Sequence, residues 1–248
     1  MAGPPVDAAG RLIVALDVPT VAEAREIVRT LGGAVTFYKV GLHLQWDGDV
    51  QPFIRELLRA GRRVFVDYKY ADIGATMRGG VAGASRIGAT FLTIQGSGEA
   101  TGDAIDDALK GRGDRAYPKL LLVTVLTSVD DSDVAALGHH RTVAGLAVER
   151  AERAADAGLD GVIASGHEAA AIRAVVPEGF IIVTPGVRPA SAASNDQKRI
   201  VTPAAAITAG ADYLVVGRPI IAHDDRRAAA EAIIAEMRSA FDAPSGAI

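Results

Sequence analysis

The 248-residue chain contains no cysteine, a single tryptophan and only 5% aromatic residues. A chain of this size supplies enough core without disulfide staples, and the absence of cysteine agrees with a reducing cytoplasm. A large excess of one charge sign is missing too. The 26 Lys and Arg against 30 Asp and Glu leave −4, which gives no electrostatic reason to expect nucleic-acid binding. No run approaches the ~18 apolar residues that a membrane span needs. The opening MAGPPVDAAGR lacks the apolar centre of a signal peptide. Residues 1–10 and 243–248 are expected to be flexible tails on one domain. No GxGxxG follows the first β-rich run. What remains is 49% apolar and 23% charged, the balance of a globular protein.

A regular alternation fills the rest. Short β-rich runs stand at 11–18, 36–42, 62–69, 89–96, 118–127, 160–165, 179–186 and 212–217. Between them lie segments with helical spacing, such as VAEAREIVRTL and VAGLAVERAERAADAG. Apolar runs alternating with amphipathic helices imply parallel strands in βα units. Eight such units in about 250 residues fit a closed (β/α)₈ barrel, with a doubly wound open sheet as the competing fold.

In such a barrel the chemistry sits at the C-terminal ends of the strands. The first run ends in Asp17, and the second carries Lys39. The third is VFVDYKYADIGAT, with Asp67, Lys69 and then Asp72. The fifth ends in Thr127 and Ser128, the seventh runs into Pro185-Gly186-Val187-Arg188, and the eighth into Gly217-Arg218. Asp67 and Lys69 are two apart and share a face of the strand. Lys39 is expected on the adjacent strand, and Asp72 beyond the strand end can reach back or reach a neighbouring subunit. Alternating charges offset a desolvation that a lone ion would not survive, since opposite charges ~4 Å apart gain ~4 kcal/mol at an effective dielectric of ~20. A solvated cluster is the plain alternative. A Mg²⁺ site is another, but the interleaved lysines repel a cation. Arg188 and Arg218 suit phosphate because a guanidinium donates two hydrogen bonds at once, and Gly217 lets backbone approach a ligand. The small, polar segment 188–199 reads as a lid over that phosphate.

These motifs, in this order, resemble the orotidine 5′-monophosphate decarboxylase family in its bacterial branch. The marks are VALDVP, YKVGL, the D-x-K-x-x-D-I run from Asp67 to Ile73, VTVLTS, TPGVRP, DQKRIVTP and VVGRPI. The resemblance implies conversion of orotidine 5′-monophosphate to uridine 5′-monophosphate with no cofactor and no metal, in a homodimer. It implies Lys69 as proton donor, Asp67 and Asp72 as carboxylates of the charge network, Asp72 arriving across the dimer interface, and Lys39 orienting Asp67 and the ribose. Asp17 then binds a ribose hydroxyl, Ile73 and Thr76 accompany Asp72, Thr127 and Ser128 meet the pyrimidine edge, and Arg188, Gln197, Gly217 and Arg218 grip the phosphate.

Two departures stand out. Gly74 follows Asp72-Ile73 where the family has proline, which leaves that loop more flexible. Gln95-Gly96 replaces a His-Ala pair, which removes the expected polar support from the fourth run. Two alternative functions remain: a Mg²⁺-dependent sugar-phosphate enzyme similar to 3-keto-L-gulonate 6-phosphate decarboxylase, which carries Glu where this chain has Lys39, and a silent nucleotide-binding barrel. His139-His140 reads as solvated loop, Trp46 as packing, and the DDRR run at 224–227 as a helix start.

Overall fold

The computed structural model describes residues 7–96, 102–189 and 199–243. Eight parallel strands close a barrel in chain order: β1 (Leu12–Ala15), β2 (Phe37–Gly41), β3 (Arg63–Tyr70), β4 (Phe91–Gln95), β5 (Lys119–Val123), β6 (Gly161–Ile163), β7 (Ile181–Thr184) and β8 (Tyr213–Val216). Pairing of Ile13 with Val215 joins the first strand to the last, so no edge is left to template another chain. The helices are α1 (Ala8–Arg11), α2 (Val21–Leu31), α3 (Val50–Arg59), α4 (Gly74–Ile87), α5 (Gly102–Arg112) and α6 (Asp131–Ala136). They continue with α7 (Val143–Asp156), α8 (Gly166–Arg173), α9 (Pro203–Thr208), α10 (Arg218–Ile221) and α11 (Arg226–Asp242). Among the described residues no helix is long and apolar enough to cross a membrane.

Strand alternation sorts the core into two layers. Ile13, Ala15, Phe37, Phe65, Phe91, Leu121, Val183 and Val215 fill the barrel interior. Their neighbours along the chain, such as Leu12, Val14, Tyr38 and Val64, face the helices. Helices meet them with apolar stripes; α2 buries Val21, Ala24, Ile27 and Leu31, and Thr20 caps it by accepting from the Glu23 N–H at 3.2 Å. Aromatics close the bottom of the barrel. Phe37, Phe91 and Tyr213 each open their strand, with ring centroids 5.1–6.0 Å apart. The Arg63 guanidinium lies 4.4 Å from the Phe37 centroid beneath them. The interior is therefore open only at the other end, where the strands finish.

Four local readings change. Residues 8–10, placed in the tail by the sequence, belong to α1, capped by Asp7 and anchored by buried Ala8. The polar stretch before α7 holds a helix, α6, because Asp130 and Asp133 form a reciprocal capping box. β5 ends at Val123, so Thr127 and Ser128 sit in the connection beyond it. Trp46 does not pack within the chain; it is 89% exposed. The DDRR run does start a helix, with Asp225 capping α11.

Candidate active site

A cavity of about 440 Å³ opens at the C-terminal rim, lined by residues in or just after β1, β2, β3, β5, β6, β7 and β8. Its floor is apolar, with Ala15, Phe65, Ile163 and Val215. Above the floor runs a chain of charges. The Lys39 ammonium lies 2.8 Å from Asp17 and 3.3 Å from Asp67, and Asp67 lies 2.9 Å from Lys69. Two carboxylates and two ammoniums alternate and sum to zero, which is how four charges tolerate this partly dry site. Burial pushes the Asp67 carboxyl up, but Lys39, Lys69 and the Thr93 hydroxyl outweigh it and hold its pKa below the usual carboxylate value. Burial pulls Lys39 down, yet Asp67 and Asp17 prevail and its pKa stands above the usual lysine value.

Room for this array comes from Gly41. A Cβ there would stand 3.0 Å from the Lys39 Nζ and 3.4 Å from Asp17, close enough that the ion pair would have to give by a few tenths of an ångström. The reach of Lys69 comes from an irregularity in β3. Val66 pairs with Leu92 and Tyr70 with Ile94, so the ladder is bulged between them. Lys69 takes φ 49°, the only positive φ on a non-glycine among the described residues. Asp67 and Lys69 thus meet through a bulge and not through plain two-residue alternation.

Within this chain the second carboxylate of the array is Asp17, and Asp72, expected across a dimer interface, does not reach the array of its own chain. Asp72 is exposed, and its carboxylate accepts from the Ile73 N–H at 2.7 Å. Ile73 is 74% exposed, Thr76 is also exposed, and neither they, Asp72 nor exposed Ser128 lines the cavity of this chain. Thr127, Arg188, Gly217 and Arg218 do line it. Arg188 is buried, and its N–H donates to the Val201 carbonyl at 2.9 Å. A Cβ at Gly217 would make only ordinary contact, 3.6 Å from Ala15. Gln197 and residues 190–198 of the segment read as a lid lie outside the described residues. The far end of that segment is held by Arg199, which pairs with buried Glu168 and donates to the Leu126 carbonyl at 3.3 Å.

Gly74 is the first residue of α4, not part of a loose loop, and a Cβ there would meet the Asp107 carboxylate at 2.3 Å. A proline there would require the Asp107 carboxylate to move aside. Polar support does come from β4, through Thr93: its hydroxyl accepts from the Lys69 N–H at 2.9 Å and donates to Asp67 at 3.0 Å. A threonine inside the apolar run ATFLTIQG was the available signal. His43 also escaped the sequence reading; it lines the cavity with Nδ1 3.9 Å from Asp17. His139 and His140 border a separate depression of about 310 Å³ with Arg141, Arg150 and Arg153.

Fold and site together define a (β/α)₈-barrel enzyme built for a small anionic substrate. Sequence comparison makes this particular. A sequence model of the orotidine 5′-phosphate decarboxylase / HUMPS family matches residues 10–233, and the chain belongs to that family. The orotidine 5′-phosphate decarboxylase of Afipia carboxidovorans is 48% identical over 233 residues, 94% of this chain and 97% of its own. That of Rhodopseudomonas palustris strain BisB5 is 49% identical over 230 residues, 93% of this chain and 95% of its own. The crystal structure of the Lactobacillus acidophilus orotidine 5′-phosphate decarboxylase superposes with a TM-score of 0.78 at 34% identity, covering 91% of this chain and 98% of that one.

Proposed function

We propose that this enzyme decarboxylates orotidine 5′-monophosphate to uridine 5′-monophosphate, the closing step of pyrimidine nucleotide synthesis, without cofactor or metal. The observation that carries the reading is the alternating array Asp17–Lys39–Asp67–Lys69 at the barrel mouth. The C6–carboxylate bond breaks, CO₂ leaves, and the electron pair stays on C6. The Lys69 ammonium stabilises that pair as it develops and then transfers a proton to C6. The neutral amine left behind regains its proton from solvent, which reaches the partly exposed Lys69 side chain. Asp67 holds Lys69 in place, and Lys39 holds Asp67. Arg188, Gly217, Arg218 and Gln197 take the 5′-phosphate, Asp17 and Lys39 the ribose, and Thr127 and Ser128 the pyrimidine edge.

Asp72, Ile73 and Thr76 act in the site of a second copy. Their exposure at the rim supports this, as does the apolar surface of Ile73, Leu42 and Trp46, which are 74%, 50% and 89% exposed. The working form is then a cytoplasmic homodimer with no nucleic-acid or membrane partner. Lysine at position 39 favours this reading over a Mg²⁺-dependent sugar-phosphate reaction, because an ammonium there occupies the place of a metal-binding glutamate.

The test is the loss of ultraviolet absorbance of orotidine 5′-monophosphate in the presence of a chelator. Wild type should turn over, and Lys69→Ala, with far-UV circular dichroism unchanged, should not. Absence of turnover by wild type, or turnover by Lys69→Ala near the wild-type rate, would reject the assignment.

A further inference from the structure

The bulge in β3 has a single residue opposite it. Between the paired positions Val66–Leu92 and Tyr70–Ile94, β3 carries Asp67, Tyr68 and Lys69, whereas β4 carries only Thr93. Thr93 is fully buried. Resting on the decarboxylase reading above, we infer that Thr93 is the positioning residue that sets the Lys69 ammonium and the Asp67 carboxylate against each other across this bulge.

The chemistry of the two partners dictates the residue type. The Lys69 backbone N–H only donates, and the ionised Asp67 carboxylate only accepts. A group between them must accept from one and donate to the other, which a hydroxyl does with its single proton and free lone pair. The distances are 2.9 Å and 3.0 Å. Threonine adds a stiff, β-branched χ1, so the hydroxyl does not wander. Two results follow. The Lys69 N–H is tied down while its backbone sits at φ 49°, a conformation unfavourable for a residue with a Cβ. The Asp67 carboxylate is fixed in rotation: Oδ1 takes Thr93 and the Lys69 ammonium, leaving Oδ2 for Lys39 at 3.3 Å. Without the hydroxyl, the Lys69 backbone is free to relax to an extended form and the carboxylate is free to rotate. Either movement shifts the ammonium that must meet C6.

The experiment compares Thr93→Val, which keeps the shape and loses the hydroxyl, with Thr93→Ser, which keeps the hydroxyl. A displacement near 1 Å at a reacting group predicts a roughly 10- to 100-fold loss of kcat in Thr93→Val, with KM for orotidine 5′-monophosphate within about threefold of wild type. Thr93→Ser should hold kcat within about threefold. A purely structural threonine predicts otherwise: a lower thermal midpoint with kcat intact, or equal losses in both variants, and either result overturns the inference. If Thr93→Val does not fold, Thr93→Ala takes its place, and failure of both makes the residue a folding requirement and rejects the inference. A crystal structure of the hydroxyl-free variant reads the same point without substrate. Lys69 should leave the left-handed region, and unchanged geometry would reject the inference. Wild-type turnover tests the decarboxylase reading separately, so the two failures are distinct.

Discussion

Replacing Asp67 by asparagine keeps the side-chain shape and removes the one charge that Lys39 and Lys69 share. The two ammoniums stand 3.3 Å and 2.9 Å from that carboxylate. Side-chain exposure is 13% for Asp67 and 11% for Lys39, so water screens that pair little. Removing one partner of a buried pair typically costs ~3–5 kcal/mol. Lys39 keeps Asp17 at 2.8 Å, and Lys69 is more open to solvent, which argues for the lower end, about 3 kcal/mol at pH 7. The pH dependence sharpens the prediction. The native pKa of Asp67 is depressed, so between it and the unfolded value of ~3.9 the unfolded chain binds the extra proton. Its contribution is complete above that window and is lost as pH falls through the native value. The gap between wild type and Asp67→Asn should therefore narrow as the pH drops below ~4, over the range where the native state survives. Urea unfolding followed by far-UV circular dichroism measures this. Trp46 is a poor fluorescent reporter because it is already 89% exposed in the folded chain. Equal stability at pH 7, or a gap that stays constant on acidification, would refute the electrostatic account of the site.

Two further predictions concern the barrel itself. Burial pushes the Tyr38 phenol up to about 12, against a smaller opposite pull from Arg62. Unfolded tyrosine ionises near ~10, so wild-type stability should fall as pH rises from there, and Tyr38→Phe should fall less steeply in urea unfolding across the same range; matching slopes would exclude the role of the phenol. At Gly161 in β6 an added Cβ would lie 2.2 Å from the Ile181 carbonyl oxygen, whereas at Gly48 nothing stands within 4 Å. Gly161→Ala should lower stability by ~1–3 kcal/mol, visible in the melting temperature, and Gly48→Ala should leave it near wild type; equal effects would contradict the packing argument.

Every β-rich run in the sequence became a strand, because strands covered on both faces read as continuous apolar segments. Their ends were less legible. The fifth run stays apolar to Leu126 apart from Thr124, but its neighbour β6 is only Gly161–Ile163, so the ladder stops at Val123 and the remainder bends over the cavity. Helix α6 hid in polar residues because its stability rests on a capping box and not on an apolar stripe. The charges at the rim were visible as residue types, but their partners were not. Asp17 joins Lys39 across β1 and β2, a contact that no spacing rule reveals, and within its own chain Asp72 only accepts from the Ile73 N–H. The glycine at 41 and the threonine at 93 matter through contacts made across strands, which only the folded register reveals.

The array is also graded, and the gradient separates the roles of its two lysines. Lys39 is bracketed by two carboxylates, its side chain is 11% exposed, and its pKa is held above the usual value. An ammonium so placed is a fixed charge and a poor acid. Lys69 touches one carboxylate, its side chain is 31% exposed, and it lines the cavity. Of the pair, only Lys69 has both an open side toward a ligand and access to solvent for regaining a proton. The same asymmetry explains why charge is tolerated at the end of a core strand. Neutrality is reached by pairing deep in the rim, and the outermost cation is left with a free flank. Local departures from the burial rule and from ordinary backbone geometry coincide at this one place, which is where a folded chain is expected to trade local comfort for chemistry.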